Sequence, residues 1–125
     1  MSTDAIEERI FTMDRVELDA YPHGVITLDR SAKILRYNRA EALLARRDQD
    51  TTVGLNFFRD VAPCTAVQDF MGRFETFAAK KDSGVERFDF TFRFAWGQQD
   101  VGITMVRKTG VEDINMLVTV RSKNA

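Results

Sequence analysis

Residues 87–96 read RFDFTFRFAW, and along this stretch aromatic side chains alternate with small or polar ones. The aromatic positions are Phe88, Phe90, Phe92, Phe94 and Trp96. A period of two over this length predicts a β-strand that buries one face and exposes the other. Because the aromatic face has to be covered, the stretch indicates a sheet with other elements packed against it.

Four further stretches have the composition of strands, at residues 24–28, 33–37, 101–107 and 115–121. The turn-prone tetrad 29–32 lies between the first two and predicts a hairpin. Residues 97–100 are read as a connection between the aromatic strand and the next one, and residues 110–113 as a turn before the last. These stretches together predict five strands.

Helical patterns occupy the intervals between the strands. Residues 3–10 predict a short amphipathic N-terminal helix with Thr3 as its cap. Asn38 stands three residues before Glu41 at the start of a second helix, which is the spacing of a capping box. Apolar residues within 70–78 recur at helical intervals and predict a helix of about 12 residues.

The order of these elements predicts an α+β fold with a central five-stranded antiparallel sheet. We expect helices on one face of the sheet and an N-terminal helical cap on the other. With 125 residues the chain is long enough for one domain. The predicted division is a cap at 1–20 and a core at 21–125.

The composition excludes several classes of function. The 18 basic and 19 acidic residues are interspersed, which argues against binding to nucleic acid or to a membrane surface through bulk charge. One cysteine and one histidine cannot form a disulfide or a structural zinc site within the chain. No apolar run approaches the roughly 20 residues of a membrane span, and the polar N-terminus does not read as a signal peptide. We expect a soluble, cytoplasmic protein.

A lone cysteine has three possible fates: a buried small residue, a reactive thiol or an attachment point. Cys64 lacks the features of a nucleophile, because the only histidine, His23, is not placed beside it by any spacing and no enzyme signature surrounds it. An enzyme is therefore not expected. Composition does not choose among the three fates.

Tyr37 and Glu41 lie four residues apart, at a strand end and in the first turn of a helix. If Glu41 were protonated, two hydrogen-bond donors would converge on one place. Alternatively, Glu41 is only the third helical residue of a capping box and Tyr37 only a core residue. The spacing alone leaves both interpretations open.

Two motifs resemble the photoactive yellow protein family of PAS-domain blue-light photoreceptors. One is residues 29–41, which end in Tyr37-Asn38-Arg39-Ala40-Glu41, and the other is GLNFFRDVAPCT at 54–65. The 26 residues between Tyr37 and Cys64 match the spacing of that family. The likeness extends over about residues 24–121, and the element order is similar to that of a PAS-type sensor domain.

The resemblance implies a cofactor and a set of site residues. Cys64 would carry p-coumaric (4-hydroxycinnamic) acid as a thioester. Tyr37 and a neutral Glu41 would donate hydrogen bonds to the buried phenolate, and Arg47 would act as a lid. The remaining pocket residues would be Ile26, Ala45, Ala62, Pro63, Thr65, Phe92 and Trp96.

The resemblance also implies a light cycle. Blue light would isomerise the chromophore from trans to cis, and Glu41 would then protonate the phenolate. A carboxylate left buried without a partner costs several kcal/mol, comparable to the stability of a small domain. Partial unfolding of the N-terminal cap would give the signalling state, followed by thermal recovery.

The chain departs from the family pattern at three positions. Ala45 replaces a threonine that supports the tyrosine hydroxyl, which removes a hydrogen bond of roughly 1 kcal/mol and favours a higher phenolate pKa. Trp96 stands where the family has a loop methionine linked to fast recovery, so the recovery rate is expected to change. Met116 replaces a frequent tryptophan and should affect packing more than photochemistry.

An alternative to the photoreceptor is a PAS-type small-ligand or protein-interaction module in which Cys64 is free. A cysteine-dependent enzyme is a third, weaker possibility. The expected partner of a photoreceptor is a downstream signalling protein that the sequence does not identify. We expect no nucleic acid and no membrane as partners, and a monomer or weak dimer.

Overall fold

The computed structural model describes residues 6–121. Its strands are β1 (Gly24–Leu28), β2 (Ile34–Tyr37), β3 (Gly84–Phe94), β4 (Gly97–Arg107) and β5 (Ile114–Val120). They form one antiparallel sheet in the order β2-β1-β5-β4-β3. The α+β fold class predicted from the sequence is confirmed.

The α-helices are α1 (Ile6–Arg9), α2 (Arg15–Ala20), α3 (Arg39–Ala45), α4 (Gln49–Thr52) and α5 (Arg73–Ala78). Between α4 and α5 lie a π-helical turn (Phe57–Val61), a 3₁₀ turn (Pro63–Thr65) and a second π-helical turn (Gln68–Gly72). The second π-helical turn runs directly into α5, so residues 68–78 supply the predicted long helix. The predicted Thr3 cap lies outside the described residues.

Two apolar clusters cover the two faces of the sheet. The larger one packs side chains of all five strands against the helical segments between β2 and β3. The smaller one joins Ile10, Met13 and Leu18 of the N-terminal segment to Val25 and Leu117 of the sheet. Successive strand residues point to opposite faces, so β1 sends Ile26 into the large cluster and Val25 into the small one. The N-terminal segment therefore caps the face opposite the helices, as predicted.

The connection predicted at 97–100 is wrong. β4 begins at Gly97, which pairs with Phe94, and the turn consists of Ala95 and Trp96. Trp96 stacks on Phe94 with ring centroids 4.8 Å apart and an interplanar angle of 11°. Trp96 therefore continues the aromatic alternation in the sequence, but it lies in the turn and not in the strand.

The helical patterns noted in the sequence do not include the helix α2. Its start is a capping box in which Asp14 accepts from the Glu17 N–H at 2.9 Å and the Glu17 carboxylate accepts from the Asp14 N–H at 2.9 Å. The signal was the Asp14-x-x-Glu17 spacing. Among residues 6–121, no helix is both long enough and apolar enough to span a bilayer.

Candidate functional site

The end of β2 and the start of α3 place two buried polar side chains close together. Tyr37, the last residue of β2, pairs with Ile26 of β1 and is only 4% exposed. Glu41 lies in the first turn of α3 and is 2% exposed. They are four positions apart across the strand-to-helix junction, and the Glu41 charge acts on the pKa of the Tyr37 hydroxyl.

Asn38 determines what the Glu41 carboxyl can do. The Asn38 side chain accepts from the Glu41 N–H at 3.1 Å and so caps α3. In a full capping box the glutamate would accept from the Asn38 N–H, but that N–H already donates to the Val25 carbonyl of β1 at 3.1 Å. Glu41 is therefore not the capping residue that its spacing allowed, and its carboxyl is free for another role.

Tyr37 Oη and Glu41 Oε1 are buried, and neither has a hydrogen-bond partner among the described residues. Burial raises the pKa of Glu41 to about 8. Burial also raises the pKa of Tyr37, to which the Glu41 charge adds and which the Arg47 charge opposes. Both groups are consequently neutral at pH 7, as a carboxylic acid and a phenol with two unused donors.

The Glu41 carboxyl lies against the backbone of β1. A Cβ built on Gly24 would collide with Glu41 Oε1, and it would also stand 3.1 Å from Cβ of Val118. A side chain at Gly24 would therefore displace the carboxyl. The glycine at position 24 therefore leaves the space that the Glu41 carboxyl occupies.

Cys64 lies in the 3₁₀ turn and is half-buried. Its Sγ accepts a hydrogen bond from the Arg93 backbone N–H of β3 at 3.4 Å. The Thr65 hydroxyl donates to the Ala62 carbonyl at 2.6 Å and stabilises the turn. The thiol packs against the large apolar cluster that also contains Tyr37.

Aromatic rings form the apolar layer beside these groups. Phe70 is fully buried, and its ring centroid lies 5.0 Å from Phe90 and 6.4 Å from Phe92. Phe92 in turn lies 5.4 Å from Phe94. These rings belong to the same apolar cluster as Tyr37 and Cys64. A charge buried in such surroundings is costly.

The end of α3 contacts the β3–β4 turn through a stacked pair. The Arg46 guanidinium lies 4.2 Å from the Trp96 ring centroid, in cation–π geometry, and Trp96 is 40% exposed. Arg46 has a φ of 58°, in the left-handed region that non-glycine residues rarely adopt. The neighbouring Arg47 donates from Nε to the Thr52 hydroxyl at 3.2 Å.

The other predicted pocket residues differ in their exposure. Ile26, Ala62, Thr65 and Phe92 are buried. Ala45 is half-buried, and Pro63 is exposed. Ala45 offers the Tyr37 hydroxyl no acceptor, in agreement with the unpartnered Oη.

Three contributors to the site were not identified from the sequence: Gly24, Thr52 and the hydrogen bond from the Asn38 N–H to the Val25 carbonyl. Gly24 gives a recognisable signal, because a glycine that opens a strand suggests close approach of another group. Thr52 is buried, accepts from Arg47 and donates to the Asp48 carbonyl at 2.7 Å. Its role depends on a helix end that local pattern does not reveal. Within residues 6–121, no group of three His, Cys, Asp or Glu side chains could hold a metal ion.

No protein-family model matches the chain. It is 37% identical to a photoactive yellow protein from Halochromatium salexigens over 111 residues, which are 89% of this chain and 87% of that protein. It is 36% identical to a photoactive yellow protein from Rhodothalassium salexigens over 83% of this chain and 82% of that one.

The solved structures give the same result. The photoactive yellow protein domain of the sensor histidine kinase Ppr from Rhodospirillum centenum has a TM-score of 0.83 and 38% identity, over 94% of this chain and 100% of that domain. The PAS domain of an HTR-like protein from Haloarcula marismortui has a TM-score of 0.68 at 11% identity, over 95% of this chain and 100% of that one. The second likeness shows the PAS fold alone.

Proposed function

The chain belongs to the photoactive yellow protein family, and from that premise we propose that it is a blue-light photoreceptor with p-coumaric acid held as a thioester on Cys64. Its relatives and its fold are those of a PAS-type photoreceptor. The chain would form one photosensor domain, with residues 1–20 as the cap and 21–125 as the core. It would act as a receptor and not as an enzyme.

The observation that carries the proposal is the pair of unpartnered donors, Tyr37 Oη and Glu41 Oε1. A buried polar group without a partner costs about 1–3 kcal/mol, so two of them at one strand-to-helix junction are unusual in a stable core. A buried phenolate oxygen would accept from both. The half-buried Cys64 on the same apolar cluster supplies the thiol that the acyl group needs.

Glu41 is the proton donor in this proposal. When bound, the chromophore would supply a light-driven trans-to-cis isomerisation that raises the proton affinity of its phenolate oxygen. Burial keeps the Glu41 carboxyl protonated in the dark, and the same burial penalises the carboxylate that remains once the proton has moved from Oε1. An unpaired carboxylate buried in this way costs several kcal/mol, enough to favour local opening.

The N-terminal segment is the part that opens. It is held by the smaller of the two clusters, which contains Ile10, Met13 and Leu18 on its side. Segments that bury little apolar surface open at the lowest free energy. Illumination of the loaded chain is therefore expected to increase amide exchange in residues 6–20, and unchanged exchange there would contradict this step.

The remaining site residues have supporting roles. Arg47 is proposed as the lid, because its charge acts on Tyr37 and its Nε is held by Thr52. The remaining pocket lining is proposed to consist of Ile26, Ala45, Ala62, Pro63, Thr65, Phe92 and Trp96. The partner is proposed to be a downstream signalling protein, since the similar domain from Rhodospirillum centenum belongs to a sensor histidine kinase. A cytoplasmic location and a monomer or weak dimer complete the proposal.

The test is intact-mass measurement after the chain reacts with activated p-coumaric acid. We expect one adduct that is lost in Cys64→Ala, together with a visible band. Glu41→Gln should retain the adduct and shift the band, because the amide cannot donate as an acid does. A folded chain without an adduct would favour the module with a free Cys64, and turnover of the activated ester would favour an enzyme.

A further inference from the structure

Arg36 is a half-buried cation with no carboxylate partner. It precedes Tyr37 on β2 and points to the opposite face, toward the N-terminal segment. In the described part of the chain, no Asp or Glu oxygen lies within ion-pair distance of its guanidinium. Burial lowers the pKa of Arg36, and the charge of Asp113 opposes this effect. Such a group needs neutral acceptors to compensate for its lost hydration.

Two side chains of the sheet hold the Arg36 guanidinium in place. Nε donates to the Thr27 hydroxyl of β1 at 2.9 Å, and Nη2 donates to Asn115 Oδ1 of β5 at 3.1 Å. The Thr27 hydroxyl in turn donates to the same Asn115 oxygen at 2.5 Å. The three groups form a closed hydrogen-bonded ring across β2, β1 and β5, and Thr27 and Asn115 are fully buried.

Two further guanidinium hydrogens are donated to the N-terminal segment. Nη1 donates to the Met13 carbonyl at 2.8 Å, and Nη2 also donates to the Ile10 carbonyl at 2.9 Å. Both carbonyls lie in the bend between α1 and α2, and both residues belong to the small apolar cluster. Arg36 therefore binds the backbone of the same bend whose apolar side chains pack on the sheet.

We propose that Arg36, held by Thr27 and Asn115, is the clamp that docks the N-terminal segment on the sheet. Hydrogen bonds from a cation are stronger than neutral ones, and two of them converge on one bend. Other contacts of the segment include the Asn38 amide, which donates to the Leu18 carbonyl at 2.8 Å, and an Arg87–Glu7 ion pair at the surface. The clamp differs from that ion pair because Thr27 and Asn115, which hold Arg36, are fully buried, whereas the Arg87 side chain is 64% exposed.

The clamp also has a consequence for the light cycle, and this part rests on the proposed function. Residues 6–20 can leave the sheet only if Arg36 gives up both carbonyls, and they can return only when it binds them again. Weakening the clamp should therefore populate the open state more and lengthen its recovery. The visible band should hardly move, because Arg36 faces away from Tyr37 and Glu41.

The primary test is amide hydrogen exchange of the full chain in the dark, which does not depend on photochemistry. Arg36→Leu keeps an apolar stem and removes every donor. We expect exchange in residues 6–20 to rise about tenfold or more, with exchange in β4 unchanged. Arg36→Lys should restore part of the protection, because an ammonium has three donors at a single nitrogen and cannot reproduce the four hydrogen bonds of the guanidinium fork.

Two further variants separate docking from general destabilisation. Thr27→Val keeps the volume and removes the hydroxyl that orients the guanidinium, so it should raise exchange in the same segment by a smaller factor. Arg87→Leu, the matched control, removes an exposed arginine that also contacts the segment, through an ion pair with the half-buried carboxylate of Glu7. It should raise exchange less than twofold, because surface ion pairs contribute little.

The outcomes distinguish the clamp from the photoreceptor proposal. Equal exchange in Arg36→Leu and the parent chain, or a uniform rise that includes β4, would overturn the clamp. Failure to bind p-coumaric acid would overturn the photoreceptor and leave the dark result standing. In loaded protein we expect recovery at least about threefold slower in Arg36→Leu, and an unchanged recovery would overturn the light-cycle consequence.

Discussion

Replacing Glu41 with glutamine should remove a large part of the pH dependence of stability. Burial raises the pKa of this carboxyl from 4.5 to about 8 in the folded chain. Below pH 4.5 the Glu41 carboxyl is protonated in both the folded and the unfolded chain, so its contribution to stability is fully present there. As the pH rises through the window to about 8, the unfolded chain ionises and the folded chain does not. The free energy of unfolding then falls by about 1.4 kcal/mol per pH unit, on the order of 5 kcal/mol across the window.

Urea unfolding of the chromophore-free chain measures this directly, at several values between about pH 5 and about pH 8. The free energy of unfolding of the parent chain should fall steadily as the pH rises. That of Glu41→Gln should fall less, so the variant should gain stability relative to the parent chain across the series. The buried amide adds an offset of its own, but that offset is the same at every pH. The slope of the difference therefore reports the ionisation of Glu41 alone.

The matched control is Glu75→Gln, the same chemical change at an exposed position of α5. Its unfolding free energy should follow the parent chain at every pH. If the Glu41→Gln curve ran parallel to the parent curve across the whole window, Glu41 would be ionised in the folded chain at neutral pH. The proton donor of the proposed light cycle would then be missing.

Three further substitutions test neighbouring features. Gly24→Ala places a Cβ against Glu41 Oε1 and should lower the free energy of unfolding by about 1–3 kcal/mol in urea titration; an unchanged midpoint would mean that the carboxyl lies elsewhere. Arg46→Gly relieves the left-handed φ of 58° and loses the cation–π contact with Trp96, two opposing effects of about 1 kcal/mol each. Stability should therefore change little while the emission of Trp96 shifts, and an unshifted emission would contradict the stacking. Phe70→Ala empties a fully buried position and should cost about 3–5 kcal/mol, whereas a loss below about 1 kcal/mol would contradict the packing described.

The sheet was predictable because a strand half-buried in an aromatic core leaves its period in the sequence. The alternation at residues 87–96 led to the correct strand, and the β1–β2 hairpin followed from its turn-prone tetrad. The β3–β4 turn was misplaced because Ala95 and Trp96 are not typical turn residues. The glycine that signals the turn is Gly97, with a φ of 152°, and it already pairs in β4.

The candidate site was predictable only in part. Tyr37, Glu41 and Cys64 were singled out from the residues, but the spacing alone left Glu41 as either a capping residue or a buried acid. The structure decides against the capping role through one long-range bond, from the Asn38 N–H to the Val25 carbonyl. A local pattern cannot record such a bond, because it depends on which strand lies beside β2.

Arg36 shows the same limit more sharply. In the sequence it is a polar residue between two apolar ones in a strand, a pattern that is typical of a solvent-exposed position. The pattern does not distinguish an exposed face of a sheet from one that another segment covers, as the N-terminal segment covers this one. Only the three-dimensional arrangement shows that Arg36 has exchanged water for the carbonyls of Ile10 and Met13.

The pleat of β2 then connects the two faces of the domain. Neighbouring residues of a strand point in opposite directions, so Tyr37 lies on the site face and Arg36 on the cap face, one peptide unit apart. Asn38 follows and binds both the first turn of α3, which carries Glu41, and the Leu18 carbonyl of α2. A displacement of Tyr37 or of the α3 start therefore acts on two hydrogen-bonded attachments of the N-terminal segment. In the proposed light cycle, a change in the charge of Glu41 would act on the N-terminal segment through these contacts.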